Sequence, residues 1–223
     1  MCGRFSNRLS AEKIKREFKV EEVPSIEARY NIAPTQKILG ISQESSEREA
    51  SIFKWGLIPS WAKDASMGAR LINARSETIR EKPAFRQAFK QRRCIIPADG
   101  FYEWQRTEGR KQPFFFQMKD ESPFGFAGLW EQWKGEEGQV INSCTILTTD
   151  ANAVLRPVHD RMPVILHPND YSLWLDHDLR KLEMVEDLLR PYPADEMASY
   201  PVSTLINSPR SQGERLIERG GVR

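Results

Sequence analysis

The chain has 223 residues, of which 39% are hydrophobic and 29% are charged, a composition typical of one globular domain with a substantial core. No stretch approaches the run of about 18 apolar residues that crosses a bilayer, and the N-terminus turns charged too early for a signal peptide, so we expect a cytoplasmic protein without membrane contact. The net charge of +2, from 33 Lys and Arg against 31 Asp and Glu, lacks the strong basic excess of many nucleic-acid-binding proteins and leaves phosphate binding to locally placed arginines.

Four helices are predicted in chain order. Residues 10–18 begin at a capping serine and carry one apolar stripe. A second helix begins at Pro83, because proline is favoured at the first helical position. A third begins near Pro168, and a weaker fourth covers residues 181–189.

Short runs rich in β-branched and aromatic residues predict strands between these helices. The runs are residues 37–42, 51–55, 93–97, 100–106, 113–118, 124–130, 144–149 and 163–166. The sequence Thr-Glu-Gly-Arg at 107–110 predicts a hairpin turn. Many strands at short spacing favour an α+β fold, in which curved, largely antiparallel sheets form a barrel-like core with flanking helices. No repeat or linker divides the chain, so residues 1–223 are expected to form a single domain.

The three cysteines are too few and too widely spaced for a zinc knuckle or a disulfide framework. Cys94 and Cys144 lie in apolar, strand-like runs and are expected to be buried as small hydrophobic residues. Cys2 differs, because nothing around it looks like core. We predict no metal and no cofactor.

Removal of Met1, which is usual before a small second residue, leaves Cys2 with an amine and a thiol on adjacent carbons. With ordinary pKa values of about 7.7–8.0 and about 8.5, both groups are partly nucleophilic at neutral pH. Such an aminothiol condenses with an aldehyde to an imine and then closes to a five-membered thiazolidine. Gly3 allows close approach of a bulky partner, and Arg4 offers a cation for an anion. Taken alone, a cysteine at position 2 is still more often a chance residue.

Two polar clusters are further candidates. In the segment LINARSE, an extended backbone places Asn73, Arg75 and Glu77 on one face, which suits a sugar or phosphate or is simply solvated. In the segment ADGFYEW, Glu103 lies among aromatic residues, where desolvation would raise its pKa for acid–base work. An exposed glutamate on an edge strand fits that segment equally well.

Histidine and tryptophan supply the remaining candidates. His159 lies beside an acidic and a basic residue before an apolar strand, and histidine is the natural proton carrier near pH 7, although a lone histidine is more often structural. His167 and His177 lie near helix ends and are expected at the surface. Trp55 and Trp61 flank a segment interrupted by Gly and Pro. An exposed Trp61 would stack on nucleic-acid bases, whereas Trp55 is expected in the core.

Seven segments together carry a resemblance that no single cluster carries. They are MCGRF at 1–5, RYNIAPTQ at 29–36, WGLIPSW at 55–61, LINARSE at 71–77, CIIPADGFYEW at 94–104, HDRMPVIL at 159–166 and VSTLINSPRSQGERL at 202–216. In this order they resemble the SRAP family (SOS-response-associated peptidases), the abasic-site processing proteins of bacteria and eukaryotes. The likeness extends over nearly the whole chain.

The resemblance implies an SRAP fold and a monomer that binds abasic sites in single-stranded DNA, including sites at junctions with duplex, and that is nucleoid-associated when on DNA. The ring-opened sugar supplies an aldehyde, which Cys2 would attack to form a covalent crosslink with associated lyase chemistry. Asn73 would contact the opened sugar and help hold Cys2. Glu103 would orient the amine and assist proton transfer, and His159 would act as acid or base on the sugar oxygen.

The resemblance also implies that Arg4, Arg75 and Arg161 contact phosphates and that Trp61 lies in the DNA-binding groove. Other hypotheses stay open from the sequence. One is a cysteine peptidase that removes its own N-terminal methionine with the same residues. Another is an N-terminal-nucleophile amidohydrolase, and a third is a non-catalytic reader of damaged or modified DNA.

Overall fold

Strands dominate the described part of the chain, residues 2–107, 109–179 and 181–220 of a computed structural model. The strands are β1 (Phe5–Asn7), β2 (Arg29–Ile32), β3 (Lys37–Ser42), β4 (Glu49–Trp55), β5 (Asn73–Arg75), β6 (Arg93–Ala98), β7 (Gly100–Thr107), β8 (Arg110–Met118), β9 (Phe124–Lys134), β10 (Val140–Asp150), β11 (Arg161–Pro163), β12 (Ile165–Leu166) and β13 (Met197–Pro201). The α-helices are α1 (Ala11–Phe18), α2 (Arg86–Gln91), α3 (Tyr171–Leu175) and α4 (Glu183–Glu186). None of the described helices is long and apolar enough to cross a membrane.

Five strands close into a barrel in the order β10, β4, β3, β6, β9 and back to β10. Their pairings are antiparallel except between β4 and β10, and the short β5 also lies parallel to β10. Alternate residues face the interior, where Cys94, Ile96, Phe126, Cys144 and Ile146 are fully buried. The predicted α+β fold with a barrel-like, largely antiparallel core is confirmed, as is the burial of the two cysteines.

A second sheet brings the N-terminus to the barrel. Its order is β13, β8, β7, β1, β2, with Phe5 of β1 opposite Phe101 of β7. The amide of Tyr102 donates to the carbonyl of Arg4 at 2.9 Å, which extends the contact towards residue 2. Residues 4–6 are therefore held beside the first three residues of β7, next to Glu103.

The first predicted helix is confirmed, the second and third begin three residues after the predicted positions, and the fourth is shorter than predicted. The Ser10 hydroxyl accepts a hydrogen bond from the amide of Lys13 at 3.2 Å and so caps α1. Helix α2 begins three residues after Pro83, because Phe85 has a non-helical φ of −122°. Pro168 begins a 3-10 turn that leads into α3, and α4 is a single turn within the predicted 181–189.

All eight predicted strand segments are confirmed, most of them with longer bounds, because cross-strand pairing continues past the apolar runs. The last segment is divided between β11, which pairs with β10, and β12, which pairs with β9. Strands β1, β2, β5 and β13 are missing from the eight predicted segments. The predicted turn residue Glu108 lies outside the described residues, and the flanking Thr107 and Arg110 are opposite each other in the β7–β8 hairpin.

Candidate functional site

Cys2 is fully buried, so the expectation that no core surrounds it is wrong. The cause is the insertion of β1 between β2 and β7, which draws the preceding residues inward. Cys2 belongs to the hydrophobic cluster that also fills the barrel. Burial, together with the nearby Glu103 carboxylate, raises the pKa of the Cys2 thiol, which is therefore protonated at neutral pH.

Glu103 lies in the interior of the second sheet and is only 4% exposed. Strand β7 is flanked by β8 and β1, so the buried interpretation of this residue is correct and the edge-strand interpretation is wrong. Burial raises the pKa of Glu103 to about 7. Near neutral pH the carboxyl therefore exists in both protonation states and can give or accept a proton.

Glu103 and His159 face one cleft. The cleft has a volume of about 560 Å³ and is lined by Glu103, Trp104, Arg106, Lys111, His159 and Asn207. Strand β7 supplies one wall, and the loop between β10 and β11 supplies His159. Because Glu103 also neighbours the Cys2 thiol, this cleft links the predicted nucleophile with two predicted proton carriers.

The His159 ring is held by its neighbours along the chain. The amide of Arg161 donates a hydrogen bond to Nδ1 of His159 at 3.0 Å. The Asp160 carboxylate lies 2.9 Å from the same nitrogen. The His159 amide donates to the carbonyl of Leu155 at 3.0 Å. Burial lowers the pKa of His159, so at neutral pH the ring is uncharged, and the Arg161 amide and the Asp160 carboxylate compete for its Nδ1 atom.

Asn73 lies in a neighbouring groove. Strand β5 places Asn73 opposite Ile146 of β10. The Nδ2 group of Asn73 donates a hydrogen bond to the Ile146 carbonyl at 3.4 Å. The buried Oδ1 atom of Asn73 has no hydrogen-bond partner among the residues that the structure describes. Such an unsatisfied acceptor costs about 1–3 kcal/mol, so this oxygen is available to a bound ligand. The adjacent Ile72 packs against the cluster that contains Cys2.

The groove at Asn73 also carries an exposed tryptophan. It has a volume of about 630 Å³ and its lining includes Trp61 and Arg75. Trp61 is 57% exposed, whereas Trp55 is fully buried as expected. The loop between them passes so close to Gly68 that a Cβ on Gly56 would lie 2.4 Å from the Gly68 carbonyl. Gly56 also has a φ of +125°, so only glycine fits there.

Two of the predicted phosphate contacts have partners within the protein. Nη1 of Arg4 donates to Oδ1 of Asn31 and to the carbonyl of Ile206, both at 2.7 Å. The side chain of Arg161 is 12% exposed and is paired with carboxylates. Arg75 is exposed, so it is the predicted phosphate contact most accessible to DNA.

A model of the family described as SOS response associated peptidase (SRAP) matches residues 1–209. The chain belongs to the SRAP family. Abasic site processing protein YoqW from Bacillus subtilis (strain 168) is 43% identical over 222 residues, covering 98% of this chain and 99% of YoqW. Abasic site processing protein YedK from Escherichia coli (strain K12) is 31% identical over 227 residues, covering 98% and 99%. An X-ray crystal structure of a protein from Bacteroides thetaiotaomicron matches with a TM-score of 0.88 and 28% identity, covering 98% of this chain and 100% of that one.

The SRAP cleft includes residues that the sequence did not single out. Trp104 Nε1 donates to Asn207 Oδ1 at 2.7 Å, which ties β7 to the 3-10 turn Thr204–Asn207. Arg106 and Lys111 are opposite each other on β7 and β8 and add positive charge to the cleft. Alternation along β7 would place Trp104 and Arg106 on the face opposite Glu103, so only the SRAP-like closing segment, which contains Asn207, could have indicated a residue of this group.

Glu77 does not share a strand face with Asn73 and Arg75, as an extended backbone would require. Strand β5 ends at Arg75, and Glu77 lies in the 3-10 turn Ser76–Thr78. Its two carboxylate oxygens accept hydrogen bonds from Nη1 and Nη2 of Arg161 at 2.6 and 2.9 Å. The polar face predicted for the segment LINARSE is therefore divided, because Asn73 and Arg75 line the groove while Glu77 pairs with Arg161.

The remaining histidines lie outside this site. His167 is exposed as expected, whereas the His177 side chain is only 33% exposed. Across residues 2–107, 109–179 and 181–220, no group of three or more His, Cys, Asp or Glu side chains is placed to hold a metal ion.

Proposed function

We propose that this SRAP protein binds abasic sites in single-stranded DNA, including sites at junctions with duplex, and forms a covalent thiazolidine crosslink through Cys2. The observation that carries the proposal is the proximity of Cys2 to Glu103, whose pKa near 7 suits proton transfer and which shares a cleft with His159. The names of the relatives YoqW and YedK support the abasic substrate. The reactive form lacks Met1, which lies outside the described residues.

The proposed reaction begins with opening of the abasic sugar. Opening moves the proton of the C1′ hydroxyl to the ring oxygen and leaves an aldehyde, and the neutral imidazole of His159 is suited to relay that proton. The Cys2 amine adds to the aldehyde carbon, and loss of water gives an imine. The sulfur then adds to the same carbon while its proton passes to Glu103 and the imine nitrogen takes a proton. One aldehyde and one aminothiol thus give one thiazolidine and one water.

The electrostatics of Cys2 favour this order of events. A cysteine peptidase or amidohydrolase attacks with the thiolate, and the raised pKa of the Cys2 thiol leaves little thiolate at neutral pH. The same burial does not prevent ring closure, because Glu103 can take the thiol proton as the carbon–sulfur bond forms. The amine is therefore the proposed first nucleophile.

DNA binding is proposed to use the groove beside the cleft. The exposed face of Trp61 can stack on a base, an interaction worth about 1–3 kcal/mol. Arg75 lies in the same groove and can contact a phosphate, while the unsatisfied Asn73 Oδ1 can accept a hydroxyl of the opened sugar. The covalent bond is proposed to supply the durability of the complex.

The proposed role of the thiol is protection of the strand. An imine at C1′ makes the C2′ protons acidic, so β-elimination would break the DNA, and ring closure removes the imine. We expect a Cys2→Ser protein with a free N-terminal amine to cleave an abasic oligonucleotide on a denaturing gel instead of forming a durable crosslink. Equally durable crosslinks without strand breaks in this variant would contradict the protective role.

Intact-mass spectrometry tests the whole proposal. Protein that lacks Met1 is mixed with a single-stranded abasic oligonucleotide, and we expect an adduct equal to the two masses less one water, located on the N-terminal peptide. A borohydride-reduced abasic oligonucleotide, which has no aldehyde, should give no adduct. A Cys2→Ala protein, whose amine can form only a reversible imine of the same mass, should give no adduct that survives denaturation and digestion. Absence of the adduct in correctly trimmed wild-type protein would overturn the proposal.

A further inference from the structure

A single hydrogen bond fixes which end of the Asn207 side chain faces the cleft. The indole Nε1 of Trp104 donates to Oδ1 of Asn207 at 2.7 Å. Because an indole N–H can only donate, its partner must be the amide oxygen. The Nδ2 group therefore points away from Trp104, and it makes no hydrogen bond within the part of the chain that the structure describes. Asn207 is exposed and lines the cleft, so it presents an oriented donor there.

Arg106 and Lys111 form a pair of like charges in the same cleft. They are directly opposite each other on β7 and β8 and are both exposed. Among residues 2–107, 109–179 and 181–220, neither side chain forms an ion pair. Like charges in directly opposite positions destabilise a sheet, since their Cβ atoms are only about 4.5–5.5 Å apart. An anion bound between the two side chains would relieve this repulsion.

The oriented donor and the two cations belong to one region of the cleft. Alternation along β7 places Trp104 and Arg106 on the same face. Asn207 is bonded to the first of these residues, and Lys111 lies opposite the second. An amide N–H, a guanidinium and an ammonium are all donors, and two of them carry positive charge. Such a set is complementary to an oxyanion, and it differs in this from the part of the cleft that contains the Glu103 carboxyl.

Cys2 lies between this region and the groove lined by Trp61 and Arg75, here called the Trp61 groove. On one side, the Cys2 thiol neighbours Glu103, which lines the cleft. On the other side, the hydrophobic cluster that contains Cys2 packs against Ile72, which precedes the first residue of β5. A nucleotide bound at Cys2 would therefore have the cleft on one side and the Trp61 groove on the other.

We propose that Asn207, Arg106 and Lys111 form a phosphate subsite for the strand on one side of the abasic nucleotide, a proposal that rests on the DNA binding proposed above. The Nδ2 group of Asn207 donates to one phosphate oxygen, and the two cations contact the same phosphate or its neighbour. Charge-assisted hydrogen bonds of this kind are among the stronger polar contacts in proteins. The strand then passes from the Trp61 groove across Cys2 into this subsite.

Asn207→Asp separates the two ends of the amide. The new carboxylate can still accept the Trp104 indole, but it presents an anionic oxygen where Nδ2 was. We expect affinity for a single-stranded oligonucleotide with a reduced abasic site to fall at least about tenfold, the scale of a lost hydrogen bond to a charged group. Asn169→Asp makes the same charge change at an exposed position outside the cleft and should stay within about twofold of wild type. Wild-type affinity in an Asn207→Asp protein that is folded by near-ultraviolet circular dichroism would overturn the inference.

Lys111→Ala tests the charge and leaves the bond between Trp104 and Asn207 in place. We expect the slope of the logarithm of affinity against the logarithm of salt concentration to become shallower by about 0.7, the value of one phosphate contact on a single strand. Lys15→Ala, at an exposed position on α1, is the matched control and should leave the slope unchanged. An unchanged slope in folded Lys111→Ala would also overturn the inference.

Oligonucleotides with one neutral methylphosphonate linkage locate the subsite on the strand. The linkage is placed at single positions on either side of the reduced abasic site. At one position we expect wild type to lose affinity while Asn207→Asp and Lys111→Ala lose little more, because their contact is already absent. The position to which Arg75→Ala is insensitive should lie on the opposite side of the abasic site. Additive losses at every position, or both positions on the same side, would contradict the proposed path.

Inorganic phosphate distinguishes a strand contact from a site for a free anion. If Asn207→Asp weakens competition by inorganic phosphate but no linkage position depends on the variants, the cleft binds a free anion and the inference is overturned. None of these binding measurements needs an aldehyde. If wild type shows the expected linkage pattern but forms no crosslink with an unreduced abasic site, the proposed crosslinking fails and the phosphate subsite stands.

Discussion

Replacing Glu103 with Gln tests whether a buried ionisable acid weakens the fold at neutral pH. Burial raises the pKa of this carboxyl from 4.5 to about 7, and the difference corresponds to about 3 kcal/mol at about 1.4 kcal/mol for each pKa unit. Below pH 4.5 the carboxyl is neutral in folded and unfolded chains alike. Between pH 4.5 and 7 only the unfolded chain ionises, so the free energy of unfolding falls as the pH rises, and above pH 7 the loss is complete.

Glutamine has nearly the same shape and stays neutral at every pH. We therefore expect the free energy of unfolding of Glu103→Gln, relative to wild type, to rise by about 3 kcal/mol between pH 4.5 and 8, while crosslinking slows. Urea unfolding followed by tryptophan fluorescence at a series of pH values measures the first effect. The same oligonucleotide gel measures the second. The exposed Glu22→Gln is the matched control and should show no comparable change with pH.

Two results would contradict this reasoning. A difference between Glu103→Gln and wild type that stays constant from pH 4.5 to 8 would mean that the carboxyl does not bind its proton more tightly in the folded protein. A Glu103→Gln protein that crosslinks as fast as wild type at pH 7 would mean that Glu103 carries no proton in the rate-limiting step. The first result addresses the burial, and the second addresses the chemistry.

Three further predictions concern the DNA groove and the fold. Trp61→Ala should weaken binding of a reduced abasic oligonucleotide by about 1–3 kcal/mol in a fluorescence titration. The melting temperature should stay nearly unchanged, because the ring is exposed. Unchanged affinity would show that Trp61 does not stack on a base. The logarithm of that affinity should fall with the logarithm of salt concentration with a slope no steeper than about −3, since single strands give about −0.7 per phosphate contact and Arg4 and Arg161 are engaged in the protein; a much steeper slope would contradict this. Gly100→Ala should destabilise the protein by about 1–3 kcal/mol in urea, because its Cβ would lie 2.0 Å from the Phe115 ring; wild-type stability would refute the close approach.

The barrel could be predicted because its strands carry a local pattern. Segments such as β3 and β6 are bounded by turn residues and rich in branched side chains, so their existence follows from neighbouring residues alone. Strands β1, β2 and β13 are three to five residues long and acquire their structure from partners far away in sequence. The burial of Cys2 depends on this, because it follows from the pairing of Phe5 with Phe101.

The candidate site could likewise be predicted only in part from the sequence. The residue types of Cys2, Glu103 and His159 were visible in the sequence, but whether Glu103 is buried depends on strand order, which the sequence left open. The partners of an arginine are also a property of the fold. Arg161 binds Glu77 and Asp150, partners that no local sequence pattern indicates.

Burial of both the thiol and the acid explains how the site can be reactive and yet selective. Burial raises the pKa of both Cys2 and Glu103, so that at neutral pH the thiol is protonated and the carboxyl exists in both protonation states. Oxidation of cysteine follows thiolate character and exposure, so a protonated, buried Cys2 is protected while the site is empty. An aldehyde that reaches the amine changes this, because the imine presents an electrophile to the thiol while Glu103 takes the proton. Reactivity is then coupled to the arrival of a substrate able to enter the cleft, and a more exposed or more acidic thiol would lose that selectivity.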